Sequence, residues 1–123
     1  MGISASRAVC ALVFLASTAI APSVWAHAHL KQPTPAVDSV VEAPQRITLA
    51  FSEGIEPGFS GVVITGAQQQ VVKTGAVKRD EKDKARLIVP LDQALTTGTY
   101  RVDWHVVSVD GHKTKGSYSF SVK

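Results

Sequence analysis

GTYRVDWHVVSV, residues 98–109, decides the fold. Tyr100, Val102, Trp104 and Val106 recur at every second position, with Arg101, Asp103 and His105 between them. Successive side chains of a strand point to opposite faces, so a period of two gathers four large apolar groups on one face. The segment is therefore read as a strand with one face against a core. His105 falls in the outward set and is read as a surface residue.

The same alternation recurs on both sides of this stretch. RITLAFS (46–52) presents Ile47, Leu49 and Phe51, and YSFSV (118–122) presents Tyr118, Phe120 and Val122. GVVIT (61–65) and VVKT (71–74) read as strands flanking a GAQQQ turn, and ARLIVPL (85–91) reads as another. The mixed-sign run KRDEKDK (78–84) reads as a solvated hairpin loop, and LKQPTPAVDS (30–39) as an extended stretch. Turn residues return roughly every ten residues, and no stretch of helix length carries the i, i+3, i+4, i+7 apolar pattern. The expectation is one small all-β domain, a sandwich or Greek-key barrel.

Ahead of that domain stands a leader. One basic residue, Arg7, precedes an apolar run from Ala8 to Ala21, and Val24-Trp25-Ala26 has the small-x-small form of a signal-peptide cleavage site. Residues 1–26 are read as a signal peptide and 27–123 as the mature domain, exported to the periplasm. Ala26-His27-Ala28 fits the same rule, so a cut after Ala28 is the other register. The only cysteine, Cys10, and the only methionine, Met1, lie in the leader. A mature chain without cysteine has no disulfide framework and no soft sulfur donor for a metal. It carries twelve Lys and Arg against ten Asp and Glu, a net charge of +2 that argues against a nucleic-acid binder.

Four histidines remain: His27, His29, His105 and His112. Cleavage after Ala26 makes His27 residue one, so its α-amino nitrogen and imidazole can chelate a metal together. Nitrogen donors of this kind suit Cu(II), and the terminal amine, with an ordinary pKa of about 7.7–8.0, loses its proton cheaply near neutrality. The other reading is a polar residue on a mobile end. His29 either adds a ligand or sits in an exposed first strand. In SVDGHKTKG (108–116), Asp110 and His112 are two apart and share a side of an extended backbone; Asp-Gly is equally a hairpin turn signal. In FSEGIEPGFSG (51–61), Glu53 could orient a ligand from behind, as could Glu56, or either could be a solvated carboxylate.

The mature start HAHL (27–30), PAVDSVVEAP (35–44), LAFSEGIEPGFSG (49–61), GTYRVDWHVVSVDGH (98–112) and the closing KGSYSFSV (115–122), in that order, resemble the CopC family of periplasmic copper-binding proteins over the whole mature length. The SEGIEP and DWHVVSVDGHKTKG wording is most similar to the enterobacterial YobA branch. The resemblance implies a Greek-key β-barrel of cupredoxin- or immunoglobulin-like type. It also implies a metal site in which His27 donates amine and imidazole, His112 a second imidazole and Asp110 a carboxylate, with Glu53 behind them. One Cu(II) per chain is expected, serving copper homeostasis, resistance or transfer. Some members have a methionine-rich Cu(I) site, and a mature chain without methionine is expected to have none. A CopD-like inner-membrane protein is the implied partner.

Two other classes fit parts of this pattern. An N-terminal histidine brace is also the centre of copper monooxygenases acting on polysaccharides, but those present an aromatic substrate face, and most aromatics here fit core positions. A metal-free immunoglobulin-like interaction module explains the fold and leaves the histidines unexplained. A non-enzymatic copper-binding protein is the expectation.

Overall fold

The computed structural model describes residues 28–123; the leader and His27 lie outside the described residues. Eight strands run in chain order: β1 (Leu30–Thr34), β2 (Val40–Val41), β3 (Arg46–Phe51), β4 (Gly61–Thr65), β5 (Lys78–Asp80), β6 (Asp83–Pro90), β7 (Gly98–Val107) and β8 (Lys113–Val122). They form two four-stranded sheets, ordered β1-β3-β6-β5 and β2-β8-β7-β4. Every pairing is antiparallel except the two-residue contact of β2 with β8. A single 3-10 turn, Pro57–Phe59, is the only helical element among the described residues, and none of their helices is long and apolar enough to cross a membrane. This is the expected all-β, single-domain architecture.

The alternating residues fill the space between the sheets. Ile47, Leu49 and Phe51 of β3 and Leu87 and Val89 of β6 face Tyr100, Val102, Trp104 and Val106 of β7 and Tyr118, Phe120 and Val122 of β8, all buried. Phe51 meets Trp104 edge-on across the gap, ring centroids 5.2 Å apart. Within the second sheet, Tyr100 stacks on Phe120 at 5.8 Å. Fully burying one such side chain contributes roughly 1.5–3 kcal/mol, so this apolar set can hold the domain without a disulfide. His105 is exposed, as its place in the alternation requires.

Three segments differ from the expectation. VVKT is not a strand: Val71 bridges Thr65 in one sheet and Thr74 bridges Leu91 beside the other, so the chain is crossing between sheets there. KRDEKDK is mostly strand, with β5 and β6 joined through Glu81 and Lys82; Asp80 Oδ1 accepts the Lys82 N–H at 2.8 Å. An edge strand can be polar on both faces, which removes the periodicity that marks a strand. Finally, β8 begins at Lys113, because its polar half continues the pairing with β7 as far as Val107↔Lys113.

Candidate metal centre

The hairpin joining β7 to β8 carries two of the expected ligands. The turn spans 108–112, closed by Gly111 N–H donating to Ser108 O at 2.8 Å and Ser108 N–H donating to His112 O at 2.9 Å. Gly111 has φ +92°, a left-handed conformation in which glycine carries no side-chain penalty, so the Asp-Gly pair is a turn signal as well. That turn brings the two side chains together. His112 Nδ1 lies 3.1 Å from Asp110 Oδ1, with the two side chains 49% and 34% exposed.

Ser108 organises this pair. It is the one fully buried polar residue in the described core, and its hydroxyl donates a hydrogen bond to Asp110 Oδ1. That bond, followed by the contact with His112, holds the Asp110 carboxyl below its ordinary range, so it is ionised at neutral pH. In a neutral imidazole one nitrogen donates while the other keeps a lone pair. Nδ1 donating to Asp110 therefore turns Nε2 into the lone-pair nitrogen.

The N-terminal end of the described chain is fastened to the same hairpin. Thr114, two residues past His112, donates its hydroxyl to Ala28 O at 3.0 Å. Ala28 is buried, and His29 exchanges main-chain contacts with Ser52: its N–H donates to Ser52 Oγ at 2.8 Å and its carbonyl accepts the Ser52 N–H at 2.9 Å. The His29 imidazole belongs to an exposed residue.

Glu53 sits in the loop after β3, half-buried. This loop lies against the hairpin, since Val109 N–H donates to Gly54 O at 2.9 Å and Ile55 bridges Ser108. Glu53 makes no hydrogen bond or ion pair with Asp110 or His112 among the described residues. Glu56 is directed elsewhere: its carboxylate lies 3.8 Å from the Arg79 guanidinium, whose Nη1 also donates to Ile55 O at 3.0 Å. Among the described residues no three His, Cys, Asp or Glu side chains cluster as a metal site, so Asp110 and His112 form a pair that needs further donors.

Sequence reading missed Ser108 and Thr114. Both stood in the quoted SVDGHKTKG, but a single serine or threonine in a turn carries no signal of which side chain or carbonyl it will bond.

A two-sheet β-sandwich with a carboxylate–imidazole pair on one hairpin, beside its anchored N-terminal strand, defines a class of small β proteins with polar donors at one end. Residues 30–123 match the CopC domain model. Protein YobA of Escherichia coli (strain K12) is 60% identical over 114 residues, 92% of each chain. Copper resistance protein C of Xanthomonas campestris pv. juglandis is 39% identical over 117 residues, covering 91% of this chain and 92% of that protein. The crystal structure of PcoC, a methionine-rich copper resistance protein from Escherichia coli, superposes with a TM-score of 0.72 at 39% identity, over 80% of this chain and all of that one. The chain belongs to the CopC family, in its YobA branch.

Proposed function

We propose that this protein is an exported Cu(II)-binding protein of copper homeostasis, holding one Cu(II) as cargo for capture, storage or hand-over. The observation that carries the reading is the Asp110–His112 pair on a hairpin that also grips Ala28 through Thr114. With residues 1–26 removed in the periplasm, the amine and imidazole of His27 would supply two further donors next to that anchored residue. With the contact between the two side chains exchanged for the metal, an imidazole nitrogen of His112 and a carboxylate oxygen of Asp110 would complete a set of three nitrogens and one oxygen, chemistry that suits Cu(II). Glu53, on the neighbouring loop, would act from behind the ligands. The named relatives support copper as the metal.

PcoC is described as methionine-rich, whereas residues 27–123 contain neither methionine nor cysteine. The soft donors favoured by Cu(I) are absent, so we assign no Cu(I) site and no redox shuttle within the molecule. We assign no catalytic role, in keeping with a family named for copper resistance, and a CopD-like inner-membrane protein as recipient or donor. Native mass spectrometry of the exported protein tests the site: a chain starting at His27 that retains one Cu(II) is expected. A start at His29 would remove His27 from the ligand set, and no retained copper from either start would end the reading.

A further inference from the structure

We propose that the outer face of β4, β7 and β8 is a docking groove for an acidic, extended segment of a partner protein. This face looks away from the other sheet. Across it run the rows Gly61–His105–Lys115 and Val63–Asp103–Ser117, given by the strand registers. Two depressions of about 480 and 440 Å³ lie along it and share His105 and Lys115. The first reaches back to Arg101 and Ser117; the second reaches forward to Lys113 and Thr114, at the foot of the hairpin bearing Asp110 and His112. The His105 imidazole lies over Gly61, where a Cβ would come within 2.6 Å of its Cε1, so glycine there gives the ring its seat.

Two features select the occupant. Along the β4 side stand Phe59, 71% exposed, and Val63, 47% exposed, apolar groups that the core does not use. Lone exposed apolar residues are common, but here each borders one of the two adjoining depressions, Val63 the first and Phe59 the second. The charge is one-sided. Arg101, Lys113 and Lys115 are the cations lining the groove, and the only lining carboxylate, Asp103, is tied to Arg101 at 3.0 Å. Two lysines are left uncompensated, as many charges as the net surplus of the whole mature chain. Such a face attracts carboxylates and repels a second copy of itself, because a two-fold interface would set lysine against lysine. Its concave course along the strands fits an extended peptide carrying one apolar side chain towards Phe59. The proposal does not depend on the metal reading.

An NMR titration of the 15N-labelled mature protein tests it, using a capped nine-residue peptide of Glu and Asp around a central leucine. Shifts are expected in the amides of Val63, His105, Lys113 and Lys115 and in Phe59. Binding should weaken at least tenfold in Lys113→Glu/Lys115→Glu and about threefold in Phe59→Ala, with both variants folded by circular dichroism. Shifts spread over the lysines of β5 and β6, no binding at low salt, or affinity unchanged in the double lysine variant would overturn the proposal. So would stronger binding to vesicles of phosphatidylcholine and phosphatidylglycerol that depends on Phe59, which would make this a membrane-facing surface.

Discussion

The two ends of the β7–β8 pair are built on different principles. Towards Gly98 and Val122 the strands are held by what they bury: Tyr100 on Phe120, Val102 between the sheets, and a Tyr100 hydroxyl that donates to Thr96 O at 2.7 Å. Towards the 108–112 turn Val106, Ile55 and Ala28 are still buried, but the turn residues themselves, Ser108 apart, are exposed. There the chain is fixed by directed bonds, from the Ser108 hydroxyl to Asp110 and His112, and from Thr114 to Ala28. Packing tolerates no loss of volume, whereas a polar turn tolerates change in any side chain that points outward. One end should therefore respond in stability and the other in metal affinity.

The largest break in stability is expected at the packed end. Phe120 is 1% exposed, and Phe120→Ala should cost about 3–5 kcal/mol in urea unfolding while leaving the Cu(II) affinity of the folded protein within about twofold. His112→Ala should do the reverse. Isothermal titration should show affinity lowered on the order of 100-fold or more, about 2.7 kcal/mol, with stability changed by no more than about 0.5 kcal/mol. A His112 variant that unfolded the domain would erase the contrast between the two ends.

Ser108→Ala sharpens the comparison, because Ser108 belongs to both ends: buried like a core residue, yet bonded to a proposed ligand. It should lower stability by about 1 kcal/mol and Cu(II) affinity about tenfold, and a loss in only one of the two would assign it to that end alone. The smallest effect concerns acid. A carboxyl held below its ordinary value of 3.8 contributes stability that is complete above that value and disappears as pH falls through the lowered one. Asp110→Asn should therefore flatten that part of the acid-unfolding curve, with its loss of stability present at neutral pH and vanishing below the lowered value, as measured by urea unfolding followed by circular dichroism between pH 2 and 7.

The same contrast explains what could be read in the sequence. Ile47, Leu49, Phe51 and the β7 face were legible because burial on one side of a strand imposes a period of two. β5 was not, since an edge strand that is polar on both faces has no apolar period to show. The transit at 71–74 was misread because one bridge to each sheet needs only a short apolar run, which looks like a strand. In the candidate centre, Asp110 and His112 could be named from their spacing and family wording. Their separation of 3.1 Å, and the role of a buried Ser108, depend on how Gly111 bends the turn, which no periodicity encodes.

The Thr114–Ala28 bond joins residues 86 apart. Closing so long a loop carries an entropic cost that the rest of the chain must offset first, so the two halves of the proposed centre meet late in folding. An unfolded chain has His27 and His112 at opposite ends of a coil. The amine and imidazole of an N-terminal His27 could chelate an ion even there, but the proposed full donor set exists only once the domain has folded.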